Sequence, residues 1–414
     1  MCDESTAVSA SCSPTIRDED VCGLKHFRRL WPLLARLREV GCRRDKAGNR
    51  ELFMDQYCGL VLLFLFSPCL RSLRALQQAS ALNKVQKILG CGRASLGSLS
   101  EATDVFDPER LRAIIAELAA EVKPSPRSAD DLVKHVVTAV DGSVVQTLAT
   151  VAQAAYLTTK NGDSRSAWRL HTHFDVDRGV PTRIDVTVGK NSGKNDEKNV
   201  LRRNIEPDHC YVMDRWYAEF KLFNEIHALG SSYVCRVRDN SVYEVLEERP
   251  LSATARAAGV LSDQLVRLGT ASPAAKRPDH PVRLVCVRAT PHVKTGGRKG
   301  GTAGPPSDGV LRIAVNLLDP PAEIVAELYR QRWLIELFFR FFKHVLGCRH
   351  LLSTARAGIE IQTYMAIIAC LLLALWTEGR PTLRTYEMVC LYLSGWADEE
   401  ELLAHLKKLK PAAE

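Results

Sequence analysis

The spacing of apolar residues divides the chain in two. From Val21 to about Val122 they recur every three and four positions, in 27–37, 52–66, 70–79, 85–89 and 111–119, which predicts packed helices. Gly90 and Asp107-Pro108 punctuate that run. Beyond it the pattern turns to strands. His135-Val-Val-Thr-Ala-Val140 is a short β-rich run ending at Asp141-Gly-Ser, and Cys210-Tyr-Val-Met213 is another, ending at Asp214. Residues 168–176 and 182–188 read as strands about a turn at Asp177-Arg-Gly179. A helix is expected from near Asp196 and another over 218–229, with a strand over 233–238. Between 241 and 320, strand-like pieces at 242–245, 282–288 and 310–316 surround a Gly/Lys/Pro-rich loop, 294–309, expected to be mobile. Helices are predicted again over 329–343, 359–375 and 399–409.

The helix at 329–343 inverts the usual surface pattern. At about 100° per residue, Tyr329, Arg332, Glu336, Arg340 and Lys343 fall within an arc of roughly 80°. Leu334, Ile335, Leu337, Phe338, Phe341, Phe342 and Val345 cover most of the remainder, which predicts a buried helix with one polar stripe. Two readings stay open on this helix alone. It is a core helix laced by Arg332–Glu336–Arg340 pairs, or Glu336 faces a ligand or metal.

Composition changes the picture only a little. Of 414 residues, 46% are hydrophobic and 25% charged, enough for a sizeable core in two or three domains. The net charge of +8 and pI near 8.8 lean towards a polyanionic partner. Thirteen cysteines include no C-x-x-C pair, and the acidic opening Met1-Cys-Asp-Glu-Ser is unlike a signal peptide. Free thiols and a cytoplasmic location are therefore expected. The apolar runs 60–66 and 365–376 fall short of the roughly 18 residues needed to span a membrane, so no membrane partner is expected. No G-x-x-x-x-G-K-Ser/Thr loop occurs, which leaves ATP-driven function unsupported.

Candidate chemistry rests on three acids. Asp141 and Asp214 close separate buried strands, the end at which α/β layers build sites, and Glu336 lies on the polar stripe. Each alone has a plain reading, since an Asp before Gly-Ser is usually a turn former. Together they suggest hard oxygen ligands for Mg²⁺ or Mn²⁺, two ions of which support phosphodiester chemistry without a covalent protein intermediate. Elsewhere, 82–101 reads as a helix–turn–helix whose Arg93, Ser95, Ser98 and Ser100 suit phosphate or base contacts, or as a plain bundle hairpin. His171 and His173 share one face of a strand and could ligate a metal, but an exposed hairpin face is the favoured reading. The cations of 294–299 read equally as a DNA clamp or a solvated loop.

Tyr329, then two residues, Arg332, then three, Glu336, then six, Lys343 resembles the Y-R-E-K signature of bacterial insertion-sequence transposases of the DDE superfamily. Asp141-Gly-Ser and Tyr211-Val-Met-Asp-Arg215 are similar to that family's two aspartate motifs, and the likeness spans about 50–378. It implies an α/β fold: a ribonuclease-H-like mixed sheet flanked by helices, an all-α N-terminal domain and a β-rich insertion before the Glu-bearing helix. The divisions expected are a tail at 1–20, a helical DNA-end-binding domain at 21–125, core at 126–240, insertion at 241–320, core again at 321–380 and a helical tail at 381–414. Asp141, Asp214 and Glu336 would be catalytic metal ligands for two Mg²⁺, with Mn²⁺ able to substitute. Tyr329, Arg332, Lys343 and Arg215 would contact DNA. A homodimer would hold two terminal inverted repeats, cut them, and join the 3′-OH ends to double-stranded target DNA. The alternatives are a nuclease without strand transfer and a DNA-binding relative without catalysis.

Two departures stand out. Trp216 follows Asp214-Arg215 where many relatives have Gly, and 241–320 contain no Trp on which a flipped base could stack. Tyr243, His280 and His292 are the remaining candidates there. Arg340 shares the stripe but lies outside the signature, and the sequence assigns it no role.

Overall fold

A computed structural model describes residues 30–67, 69–125, 133–146, 155–158, 164–188, 192–289, 308–346, 351–353, 355–377 and 380–409. The expected tail 1–20, most of the 294–309 loop with His292, and Pro126-Arg127 of the Pro-rich stretch lie outside them.

The first part of the chain is helical, as its periodicity requires: α1 (Trp31–Ala35), α2 (Met54–Phe66), α3 (Leu73–Ser80), α4 (Asn83–Leu89), α5 (Leu96–Val105) and α6 (Arg110–Glu121). The caps are local. Gln56 Oε1 accepts the Phe53 N–H at 3.1 Å to start α2, and Ser95 Oγ accepts the Ser98 N–H at 2.9 Å to start α5. Gly90, at φ 60°, ends α4 in a conformation that costs glycine little. The stretch 82–101 is thus two short helices about a turn. Arg112 of α6 ties this layer to the rest. Its Nη2 donates to Asp185 Oδ1 at 2.9 Å, and its guanidinium lies 5.1 Å from the Tyr364 ring centroid.

The remainder is a mixed α/β layer around one ten-stranded sheet, ordered β2-β3-β1-β5-β6-β10-β9-β8-β7, with β4 on β3. The strands are β1 (Val136–Gln146), β2 (Ala155–Thr158), β3 (Ser164–Asp175), β4 (Val180–Val188), β5 (His209–Met213), β6 (Ser232–Arg236), β7 (Tyr243–Glu248), β8 (Val260–Leu268), β9 (Val282–Arg288) and β10 (Val310–Val315). Pairing is parallel between β1, β5 and β6 and antiparallel elsewhere. The four strands from 243 to 315 therefore extend the central sheet, because β10 pairs directly with β6. β8 escaped the sequence reading: its Ser262, Asp263 and Gln264 interrupt the apolar run, and Asp263 is buried only by virtue of a bidentate pair with Arg283.

Helices cover both faces. α7 (Glu197–Arg202) and α8 (Phe220–Ala228) pack on the side of Val140, Tyr211 and Met213. α10 (Ala322–Gln331), α11 (Trp333–Leu346) and α12 (Arg356–Thr377) pack on the side of Val137, Ala139 and Val212. Alternation along β1 makes these opposite faces. The short α9 (Ala253–Ala257) lies between β7 and β8, and α13 (Leu383–Leu393) and α14 (Glu399–Leu409) close the chain. α12 is longer than its apolar core suggested. Its length and mean hydropathy of 1.9 would suffice to cross a membrane, yet 94% of that window is buried inside the protein. The nine described cysteines are all free thiols.

Three expectations need correction. β1 does not end at Asp141; it runs on to Gln146, because β3 offers a partner for every residue from Asp141 to Gln146. His171 and His173 are only 3% and 4% exposed, since the hairpin face they share is covered rather than open to water. The 329–343 stretch is not one buried helix. The helix breaks at Arg332, and Trp333 and Leu337 are 47% and 44% exposed.

Candidate active site

Register brings the two aspartates together. In the parallel ladder Val140 lies beside Met213, so Asp141 and Asp214 follow side by side where that ladder stops. Asp141 Oδ1 accepts the Gly142 N–H at 2.8 Å, and Asp214 Oδ1 accepts the Trp216 N–H at 2.8 Å. Each carboxylate is oriented by its own chain, with its other oxygen left for a partner. Burial pushes the Asp141 carboxyl up to about 7, and the nearby negative charges of Asp214 and Glu197 add to that rise. Arg332 and the Gly142 N–H oppose it.

Glu336 arrives from the other layer. The break between α10 and α11 puts Arg332 at the turn, where its Nη2 donates to Glu336 Oε1 at 2.6 Å and its Nη1 lies 3.7 Å from Asp141 Oδ2. One guanidinium therefore bridges two of the three acids. The i, i+4 pair offered by the plain reading of this helix is present, and Arg332 does neutralise Glu336 here. The same guanidinium lies 3.7 Å from Asp141 Oδ2, so it links Glu336 to Asp141, and Arg340 is placed over Trp333. Tyr329, in the last turn of α10, has its ring 6.0 Å from the Arg332 guanidinium, and burial raises its hydroxyl above the usual value.

The other residues singled out lie around this centre. Arg215 is exposed on the loop after Asp214. Lys343 is half-buried on α11, about 10 Å beyond Glu336 along the axis at 1.5 Å per residue. The Arg340 guanidinium lies 5.2 Å from the Trp333 ring centroid. His280 is taken up by His227, stacked at 4.1 Å, and by the Tyr233 hydroxyl at 2.9 Å, so it offers no ring to a base.

Glu197 was missed. It opens α7, is 7% exposed and is ion-paired with Arg169 of β3. Its Oε1 packs so closely on Gly142 that a Cβ there would sit 2.4 Å from it. Gly142 thus has a reason beyond turn chemistry: only hydrogen fits between the strand and this acid. In the sequence Glu197 is one of several charges in Asn-Asp-Glu-Lys-Asn, and nothing local marks it. Alternation puts Gly142 on the opposite face of β1 from Asp141, so Glu197 charges the site from behind the strand.

The donor set suits a hard divalent cation: carboxylate oxygens, two of them adjacent by register, with a bound guanidinium already standing where positive charge is required. Among the described residues no three His, Cys, Asp or Glu side chains are gathered closely enough to hold a metal as they stand. Arg332 joins two of them, ion-paired with Glu336 and 3.7 Å from Asp141.

The mixed sheet thus carries two register-paired aspartates and, on a helix packed against it, a glutamate joined to one of them through Arg332. The sequence profile described as "Transposase DDE domain" matches residues 133–372, more than half of the chain, which therefore belongs to the DDE transposases, of the insertion-sequence type. It is similar to a protein of Sinorhizobium fredii named as a transposase, with 26% identity over 232 residues, 54% of this chain and 59% of that one. It is also similar to a protein of Geobacillus stearothermophilus named as a transposase for an insertion sequence element, with 26% identity over 211 residues, 50% and 49% of the two chains. The chain thus spans between half and three-fifths of these relatives. Among solved structures, a piggyBac transposase synaptic complex with hairpin DNA aligns over 94% of this chain and 85% of that one, with a TM-score of 0.42 and 10% identity.

Proposed function

We propose that the protein cuts the ends of an insertion sequence and joins the freed 3′-OH ends to target DNA by a cut-and-paste route. The observation that carries this is the register pairing of Asp141 with Asp214, with Glu336 drawn to Asp141 through Arg332. Asp141, Asp214 and Glu336 would hold Mg²⁺, or Mn²⁺ in its place. Two such ions, when bound, lower the pKa of an attacking water or hydroxyl and offset charge on the leaving oxygen. Arg332 then exchanges its carboxylate partners for the backbone phosphate of the strand being cut, a bidentate partner for the same guanidinium fork. Tyr329, Lys343 and Arg215 position that strand, and helices α1–α6 grip the inverted repeat. A homodimer, working in the cytoplasm, would present two ends together.

Glu336→Gln tests this. It keeps size and hydrogen bonding but removes the charge. Cleavage of a duplex carrying the inverted repeat that flanks the coding sequence should fall at least about a hundredfold, while end binding is retained. Undiminished cleavage would remove Glu336 from the site.

A further inference from the structure

The link between the sheet and α10 cannot satisfy its own backbone. β10 ends at Val315, and Leu317-Leu-Asp-Pro-Pro321 leads from there to α10. Pro320 and Pro321 lack an N–H, so no ladder continues through them, and the carbonyls of this stretch need donors from elsewhere. Arg283 of β9 supplies them. Its Nη1 donates to Pro320 O at 2.5 Å and lies 3.3 Å from both Leu317 O and Leu318 O. Arg249, the residue after β7, adds a bond from its Nη1 to Leu318 O at 2.7 Å. Asn316 fixes the exit from β10: its Oδ1 accepts the Tyr233 N–H at 2.9 Å and its Nδ2 donates to Ser231 O at 3.0 Å.

This clamp requires a buried charge. Arg283 is 2% exposed, and a guanidinium in that position is unfavourable unless its charge is matched. Asp263 of β8, 5% exposed, matches it: Nε and Nη2 donate to its two oxygens at 2.7 Å each. An apolar pair would fill the same space without burying charge, but would leave the link's carbonyls short of donors. Further along, Glu323 in the first turn of α10 accepts the Thr254 hydroxyl of α9 at 2.6 Å. The segment from 243 to 288 thus holds the start of α10 through two guanidiniums and a hydroxyl. α10 is ten residues long, about 15 Å, and leads directly to Arg332, which links Glu336 to Asp141.

We propose that Arg283, held by Asp263 and assisted by Arg249, is a positioning residue for the reaction. It fixes the start of α10 and so sets where Arg332 and Glu336 stand relative to Asp141 and Asp214. The strands between 243 and 288 thereby brace the acidic centre without touching it. Lysine cannot do the same, because one ammonium does not form a bidentate pair with Asp263 and the carbonyl bonds together. This rests on the transposase reading above, since the spacing of the acids is what the clamp serves.

Arg283→Lys keeps the buried charge pair and removes the carbonyl clamp. Three measurements on the full chain test it. They are binding of the inverted-repeat duplex in EDTA, single-turnover cleavage of that duplex against Mn²⁺ concentration, and amide hydrogen exchange without DNA or metal. Affinity in EDTA should change less than about twofold, because a side chain 2% exposed reaches no phosphate. Half-maximal cleavage should need about tenfold more Mn²⁺, as when the groups that orient metal ligands are disturbed. Exchange should quicken in α10 and at the head of α11 while β8 and β9 stay protected. Arg249→Gln removes one bond from a half-buried side chain and should raise the Mn²⁺ requirement about threefold. It carries the test if Arg283→Lys fails to fold. An unchanged Mn²⁺ requirement, or exchange that quickens in β8 and β9 as much as in α10, would overturn the positioning role and leave Arg283 a brace of the fold alone. Duplex binding lost in proportion to cleavage would overturn it too, assigning Arg283 to DNA contact. A wild type that cuts no duplex in Mn²⁺, while Arg283→Lys still loosens α10, would overturn the transposase reading instead.

Discussion

The two faces of the sheet are built differently. Under α10–α12 the packing is almost wholly aliphatic and phenyl: Val137, Ala139, Val212 and Phe174 meet Ile335, Phe338 and the entirely buried middle of α12, from Ile361 to Leu371. Under α7 and α8 the space is filled by polar-tipped rings. Phe223 stacks on Tyr233 at 4.2 Å, Tyr233 bonds His280, and His173 meets the edge of Tyr211 with ring centroids 6.0 Å apart. His171 Nε2 pairs with Thr187 Oγ1 at 2.8 Å on the same hairpin. The first face is mostly free of titrating groups, apart from the acid–guanidinium cluster at its edge. The other holds groups that titrate, and the acids sit where the parallel strands between the faces end. Glu336 with Arg332 comes from the first layer and Glu197 from the second, so the site draws charge from both.

The difference is tested most severely in α12. Leu371 is fully buried in the aliphatic layer, and Leu371→Ala should cost about 2–5 kcal/mol through lost burial and the cavity left behind. Urea unfolding measures it. A loss below 1 kcal/mol would mean that this layer is loosely packed and that α12 is not the support on which α11 rests.

Of this architecture, periodicity revealed what depends on local pattern. The N-terminal helices, the strands that lead into Asp141 and Asp214 and the apolar helix after 359 follow from spacing alone. What pattern could not reveal is what depends on a distant partner. β1 runs past Asp141 only because β3 lies alongside, and His171 and His173 look exposed until the packing beneath that hairpin is seen. At the candidate site, motif spacing singled out Asp141, Asp214 and Glu336, which the structure places with Asp141 beside Asp214 and Glu336 joined to Asp141 through Arg332. Glu197 was not singled out, because its significance is its contact with Gly142, 55 positions earlier. The break at Arg332 was also hidden, since Gln-Arg-Trp carries neither Gly nor Pro.

The titratable face makes the second test. Burial lowers His171 and His173 from the ordinary 6.5 to about 4 each. Their contribution is intact above pH 6.5. As pH falls from there the unfolded chain takes up both protons while the folded protein does not, so stability is lost between about 6.5 and 4. Each proton contributes a slope of about 1.4 kcal/mol per pH unit in that window. Unfolding free energy against pH should therefore drop more gently in His173→Gln than in wild type. Parallel curves for the two proteins would show that His173 protonates freely in the fold and that the second face is open to water.

The smallest expected effect separates burial from helix apolarity. Leu337 lies on α11, an apolar helix of the aliphatic layer, but is 44% exposed beside Trp333 and Arg340. If the layer's stability comes from buried area alone, Leu337→Ala should change unfolding free energy by no more than about 0.5 kcal/mol, within the range of ordinary surface substitutions. Alanine also has the higher helix propensity, which trims even that loss. A cost approaching that of Leu371→Ala would mean that something covers this side of α11 in solution. The exposed surface beside Glu336, with Trp333 on it, would then already be an interface.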